Sequence, residues 1–83
     1  MKKILYFTAE WCGPCKMIKP QMQAISNQVS ITFIDVDANS QTAQRYNVRN
    51  IPCVVLIDMN GNELGKLIGS NVSAQSVINL YNK

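Results

Sequence analysis

Lys2-Lys3-Ile4-Leu5-Tyr6-Phe7-Thr8-Ala9-Glu10-Trp11-Cys12-Gly13-Pro14-Cys15 is the stretch on which the reading of this chain turns. Lys2 to Thr8 holds a short run of Ile, Leu, Tyr and Phe that reads as a largely buried strand, broken at Ala9-Glu10. From about Gly13 the period changes. Ile18, Met22, Ile25 and Val29 recur at spacings of four, three and four, which lines one face of a helix, with Pro20 accommodated by a kink and Met17 and Met22 as core filler. Two cysteines therefore fall where a strand hands over to a helix. Cys12 meets the unpaired N–H groups and positive dipole end of that helix, which favour its thiolate, and one turn brings Cys15 back beneath it. Gly13 permits the tight approach. Pro14 suits the first helical turn, where it has no N–H to lose.

Outward from this junction, Ser30 to Val36 alternates as a second strand, and Asn39-Ser40 offers a cap for a short polar helix over Gln41 to Tyr46. Cys53 to Ile57 is a β-branched run bounded by Pro52 and by Asn60-Gly61. Leu64 to Ile68 follows that turn, so the pair reads as a hairpin. Ser73 can cap a last helix in which Ala74, Val77, Ile78 and Tyr81 share a face. The order strand, helix, strand, helix, strand, strand, helix predicts an α/β sandwich: a parallel pair joined by a right-handed crossover, with an antiparallel hairpin making the sheet mixed. With no linker or repeat in 83 residues, one domain over residues 1–83 is expected.

Composition narrows the function. The net charge of +3 is dispersed, with no basic run beyond Lys2-Lys3, which gives no footprint for nucleic acid. The longest apolar run, Cys53 to Ile57, is far below the roughly 20 residues of a membrane span. No export signal is visible at the lysines and the short apolar run behind them, so a cytoplasmic location is expected. Zinc would need a fourth ligand beyond Cys12, Cys15 and Cys53, and the chain has no histidine. A structural disulfide across so short a loop gains little and is reduced in that compartment. Thiol redox chemistry is the reading that remains.

Glu10-Trp11-Cys12-Gly13-Pro14-Cys15-Lys16-Met17-Ile18 resembles the active-site stretch of thioredoxins almost letter for letter. Arg49-Asn50-Ile51-Pro52 is similar to the family's cis-proline loop, Asp58 to Glu63 to its hairpin turn, and Gly69 to the glycine that leaves room beside the site. The resemblance implies a three-layer α/β/α sandwich with a four-stranded mixed sheet and three helices, without the N-terminal strand and helix of ordinary thioredoxins. It implies a thiol–disulfide oxidoreductase that reduces protein disulfides: Cys12 attacks and Cys15 resolves the mixed disulfide. Trp11, Gly13, Pro14 and Pro52 would support the site, and Ile51 and Gly69 would meet substrate. The implied partners are disulfide-containing proteins and a thioredoxin-reductase-type flavoprotein as electron donor, with no cofactor or metal bound and the chain a monomer. A glutaredoxin-like, glutathione-dependent enzyme is disfavoured by Gly13-Pro14 and the lack of a charged clamp. A binding module with dispensable thiols is disfavoured by the intact Trp11 to Cys15 stretch.

Three departures from the family stand out. Tyr6 and Phe33 occupy the places of a buried aspartate and a neighbouring lysine, which leaves Glu10, Tyr6 or water to move the proton of Cys15. Cys53 stands where threonine is usual, either as a small buried residue opening a core strand or as a thiol facing the cleft. Trp11 reads either as core packing or as a rim residue shielding the disulfide.

Overall fold

In the computed structural model, which describes residues 1–83, the apolar run of β1 (Lys2–Thr8) becomes the strand around which the other elements are arranged. It pairs in parallel with β2 (Ile31–Asp35), Ile4 opposite Ile31 and Thr8 opposite Asp35. On its other side it pairs antiparallel with β3 (Cys53–Asp58), Phe7 opposite Cys53, and β3 pairs antiparallel with β4 (Glu63–Ile68). The sheet order is β2-β1-β3-β4. Strands buried on both faces read as continuous apolar runs, and β1 and β3 do so because helices cover both sides.

The two faces carry separate cores. Ile4, Tyr6, Val54 and Leu56 point toward α1 (Gly13–Ala24) and α3 (Ala74–Tyr81), where Met22, Ile25, Val29, Val72 and Val77 close over them. Leu5, Phe7, Cys53 and Val55 point the other way, against Ile34 and against Ala43 and Tyr46 from the region of α2 (Ser40–Arg45). The three-layer α/β/α sandwich with a four-stranded mixed sheet and three helices is thus the observed architecture.

Local chemistry sets the element ends. Helix α1 runs through the exposed Pro20 and stops at Ala24, so the periodic Ile25 and Val29 are buried from the turns that follow it. Met17 is not core filler: it is 79% exposed, because five residues of helix rotate it about 140° away from the buried Met22. Helix α2 ends in a paired cap. Asn47 takes φ 55, its N–H donates to the Gln44 carbonyl, and the Val48 N–H reaches back to the Ala43 carbonyl at 2.8 Å. Ser73 and Ser76 form a reciprocal capping box at the start of α3.

The β3–β4 hairpin turns through Met59 to Asn62, a longer loop than Asn60-Gly61 alone would make. The Asp58 carboxylate accepts from the Asn60 and Asn62 N–H groups, each at 2.9 Å. Those bonds, Asn62 first, hold its carboxyl below the usual aspartate range. Gly61 sits at φ +83 and its carbonyl accepts the Tyr46 hydroxyl at 2.7 Å, which ties the turn to the end of α2. A Cβ there would force an L residue into the left-handed region beside the Arg45 guanidinium. Gly61→Ala is therefore expected to destabilise the fold by about 1–2 kcal/mol. Thermal unfolding followed by circular dichroism should show a midpoint lowered by about 5–15 °C.

Candidate active site

Cys12 is the N-cap of α1, in an extended conformation, and Cys15 lies in the first turn with Pro14 between them at the helix start. The two form a disulfide with Cα atoms 5.3 Å apart. The Cys12 sulfur also accepts the Cys15 backbone N–H at 3.2 Å, so a helix-terminal donor is already aimed at the atom that carries charge in the reduced form. No acidic residue occupies the first turn to oppose it. Burial grades the pair: Cys12 is 5% exposed and Cys15 fully covered.

The parallel pairing of β1 and β2 brings their C-terminal ends together, and with them the residues that follow. Trp11 is not core packing; it is 68% exposed, and its indole N–H donates to the Asp37 carboxylate at 2.8 Å. Asp37 was not singled out in the sequence, though the register carries a signal for it: Trp11 lies three residues past Thr8, and Asp37 two past its partner Asp35. The Asp35 carboxylate in turn accepts the Asp37 N–H at 2.8 Å, which fixes the turn that presents Asp37.

Ala9, Cys12 and Cys15 make a small buried cluster against which Val36 and Ile51 pack. Ile51 is joined to Pro52 by a cis peptide bond, and the Pro52 carbonyl accepts the Gly69 N–H at 2.8 Å. Gly69 has φ +61, a backbone reason to be glycine, and a Cβ on it would meet nothing within 4 Å. Gly13 likewise faces open space, so the chain's own packing does not demand its small size. Gly13 and Trp11 are exposed and Ile51 partly so, which leaves apolar surface around the sulfurs.

Cys53 is away from this chemistry. It is 1% exposed among Leu5, Phe7, Ile34 and Val55, on the sheet face opposite α1. It joins no cluster of potential metal ligands with Cys12 and Cys15. Burial pushes its thiol up to about 11, with the Lys66 charge opposing. Tyr6 lies beneath the site: its buried hydroxyl donates to the Cys15 carbonyl at 2.8 Å, and its ring meets Phe33 edge to face at 5.8 Å. Glu10 is exposed.

Over residues 1–82 the chain matches the family model described as Thioredoxin. The thioredoxin of Chlamydia pneumoniae is 38% identical over 80 residues, covering 93% of this chain and 76% of the relative. A bifunctional thioredoxin reductase/thioredoxin of Mycobacterium leprae is 35% identical over 72 residues, which span 82% of this chain and 16% of that protein. Among solved structures, the N21Q mutant thioredoxin from Halobacterium salinarum NRC-1 superposes with a TM-score of 0.86 at 30% identity, covering 98% of this chain and 72% of that one.

With its thiol pushed up to about 11 by burial, Cys53 is almost wholly protonated at pH 7.5. Iodoacetamide at that pH should therefore alkylate Cys12 in the reduced protein and leave Cys53 unmodified until denaturant is added. Peptide mapping checks this, and comparable native labelling of Cys53 would mean that β3 opens.

Proposed function

The chain belongs to the thioredoxin family and is a dithiol–disulfide oxidoreductase, and from that premise we propose that it reduces disulfides in proteins, with Cys12 as nucleophile and Cys15 as resolving thiol. The observation that carries the reading is the Cys12–Cys15 pair at the N-cap of α1, one sulfur under a helix-terminal N–H and the other sealed beneath it. A thiolate at Cys12 attacks a substrate disulfide, and the fully covered Cys15 then displaces the substrate from the mixed disulfide.

The surroundings support a peptide-like substrate. Ile51, which packs against the cysteines, presents backbone there, where an extended segment can pair with it as an added strand. In this reading Trp11 and Gly13 form the surface that the segment crosses, Pro14 fixes the helix start, and Gly69 holds the Pro52 carbonyl while leaving space beside it. The electron donor is a thioredoxin-reductase-type flavoprotein, a reading supported by the Mycobacterium leprae relative that joins a reductase and a thioredoxin in one chain. The protein works as a single-domain monomer in the cytoplasm, as part of electron transport that maintains the cell's thiol balance. No helix is long and apolar enough to cross a membrane.

Insulin reduction tests the proposal, with NADPH and a thioredoxin reductase as donor and, separately, with glutathione. The reductase-driven reaction should proceed and the glutathione reaction should not. Cys12→Ser should abolish turnover, and Cys15→Ser should accumulate mixed disulfides visible by mass spectrometry, because attack survives and resolution does not. Turnover supported only by glutathione would make it a glutaredoxin-like enzyme, and unchanged activity in Cys12→Ser would remove the nucleophile. The couple should fall within about −200 to −290 mV, measured by equilibration with glutathione.

A further inference from the structure

The resolving step requires that the Cys15 thiol lose its proton, yet its sulfur lies in the interior, fully covered. The chain contains no buried Asp, Glu, Lys or Arg anywhere. The Tyr6 hydroxyl is a buried polar group that reaches Cys15, and it donates to the carbonyl of Cys15 itself at 2.8 Å. We propose that Tyr6 is a positioning residue for resolution: it pins the Cys15 peptide so that the sulfur faces Cys12, and it occupies the polar place beneath the pair with a donor, so that the proton of Cys15 passes to solvent hydroxide and not to a side chain. The proposal rests on Cys12 attacking and Cys15 resolving.

The surroundings of Tyr6 agree from every side. Phe33 of β2 closes it edge to face, and Val54 and Leu56 of β3, Met22 of α1 and Val77 of α3 share its core. Burial raises the phenol above its ordinary range and outweighs the opposing Thr8 hydrogen bond, so it stays protonated and a donor. Glu10, Lys16, Lys19 and Asp35 line an open cleft of about 270 Å³ together with Thr8, Ala9 and Phe33. Asp35 is engaged by the Asp37 N–H, and Asp37 by Trp11. Cys53 lies on the other face of the sheet, and the Tyr81 hydroxyl donates to the Lys2 carbonyl. None of the charged groups of the cleft is buried, whereas Cys15 is fully covered.

The chemistry balances with solvent alone. Cys12 thiolate attacks one sulfur of the substrate disulfide and releases the first substrate thiolate. Hydroxide takes the proton of Cys15 and becomes water. The Cys15 thiolate then attacks the Cys12 sulfur, the bond from Cys12 to substrate breaks, and the second substrate thiolate leaves with the electron pair. Two electrons pass from the dithiol to the substrate.

A symmetrical nitrobenzoate disulfide reads both steps, because each releases one coloured thiolate. In the wild type, the rate of the second release should climb about tenfold per pH unit from pH 6 to about 8.5, the pKa of a free thiol, without an earlier plateau. Tyr6→Phe keeps the ring and removes only the hydroxyl. It should leave the first release within about twofold and slow the second about fivefold at every pH, the worth of one ordinary hydrogen bond, with the same slope. Glu10→Gln should leave the second release unchanged. A wild-type profile that bends below pH 7.5, a loss of slope in Glu10→Gln, or a second release untouched by Tyr6→Phe would overturn the proposal. The wild-type profile needs no variant to fold. Release of both equivalents by Cys15→Ser would instead overturn the assignment of the cysteines.

Discussion

The fold hangs on the hydrogen bonding of β1 from both sides. β2 and β3 pair with its two edges while helices cover both faces of the sheet, so Ile4, Leu5, Tyr6 and Phe7 satisfy the two cores in alternation. The chain then leaves the sheet at Thr8 with no freedom to wander, and the next regular element begins at Gly13. The redox pair inherits its position from that exit. A central strand fixes where α1 starts, the start of α1 fixes which sulfur receives helix-terminal N–H groups, and the parallel neighbour β2 delivers Asp37 to Trp11.

Much of this was legible because each signal was local. The strand-to-helix change of period around Cys12, the Ser73 cap, the stop of the short helix before Asn47-Val48 and the Asn60-Gly61 turn all depend on residues within a few positions of one another, and each has its counterpart in the structure. What stayed hidden depends on rotation or on partners distant in sequence. Met17 looks as apolar as Met22, and only the angle between them on the helix separates surface from core. Trp11 could have filled a core until β2 placed a carboxylate outside it. The orientation of Cys53 follows from its alternation with Val54, which a sequence alone cannot assign to one face without knowing which helix covers which side.

Tyr6, fully buried against the partly exposed Phe33, fills an interior position without leaving a defect. A charge in this interior would need a partner of opposite sign and further hydrogen bonds to offset its loss of water. Two aromatic rings meeting edge to face need neither, and the one polar atom they introduce finds the Cys15 carbonyl. No buried side-chain nitrogen or oxygen in the chain lacks a partner. The interior beneath the disulfide is therefore held by packing and hydrogen bonding, with no Asp, Glu, Lys or Arg side chain buried in it.

The loop before β3 is anchored on either side of its exposed tip. Upstream, the end of α2 is clamped by the Asn47 cap, by the Tyr46 hydroxyl on the hairpin turn and by Lys66 donating to the Tyr46 carbonyl. Downstream, the Pro52 carbonyl is held by Gly69. Arg49 and Asn50 lie between these anchors with their side chains in solvent. Arg49, tied only to the exposed Asn47 side chain through its Nε, and Asn50 can therefore change charge and shape while the backbone at Ile51 stays in register. In this small scaffold the exposed tip of the loop and the buried dithiol can change on separate schedules.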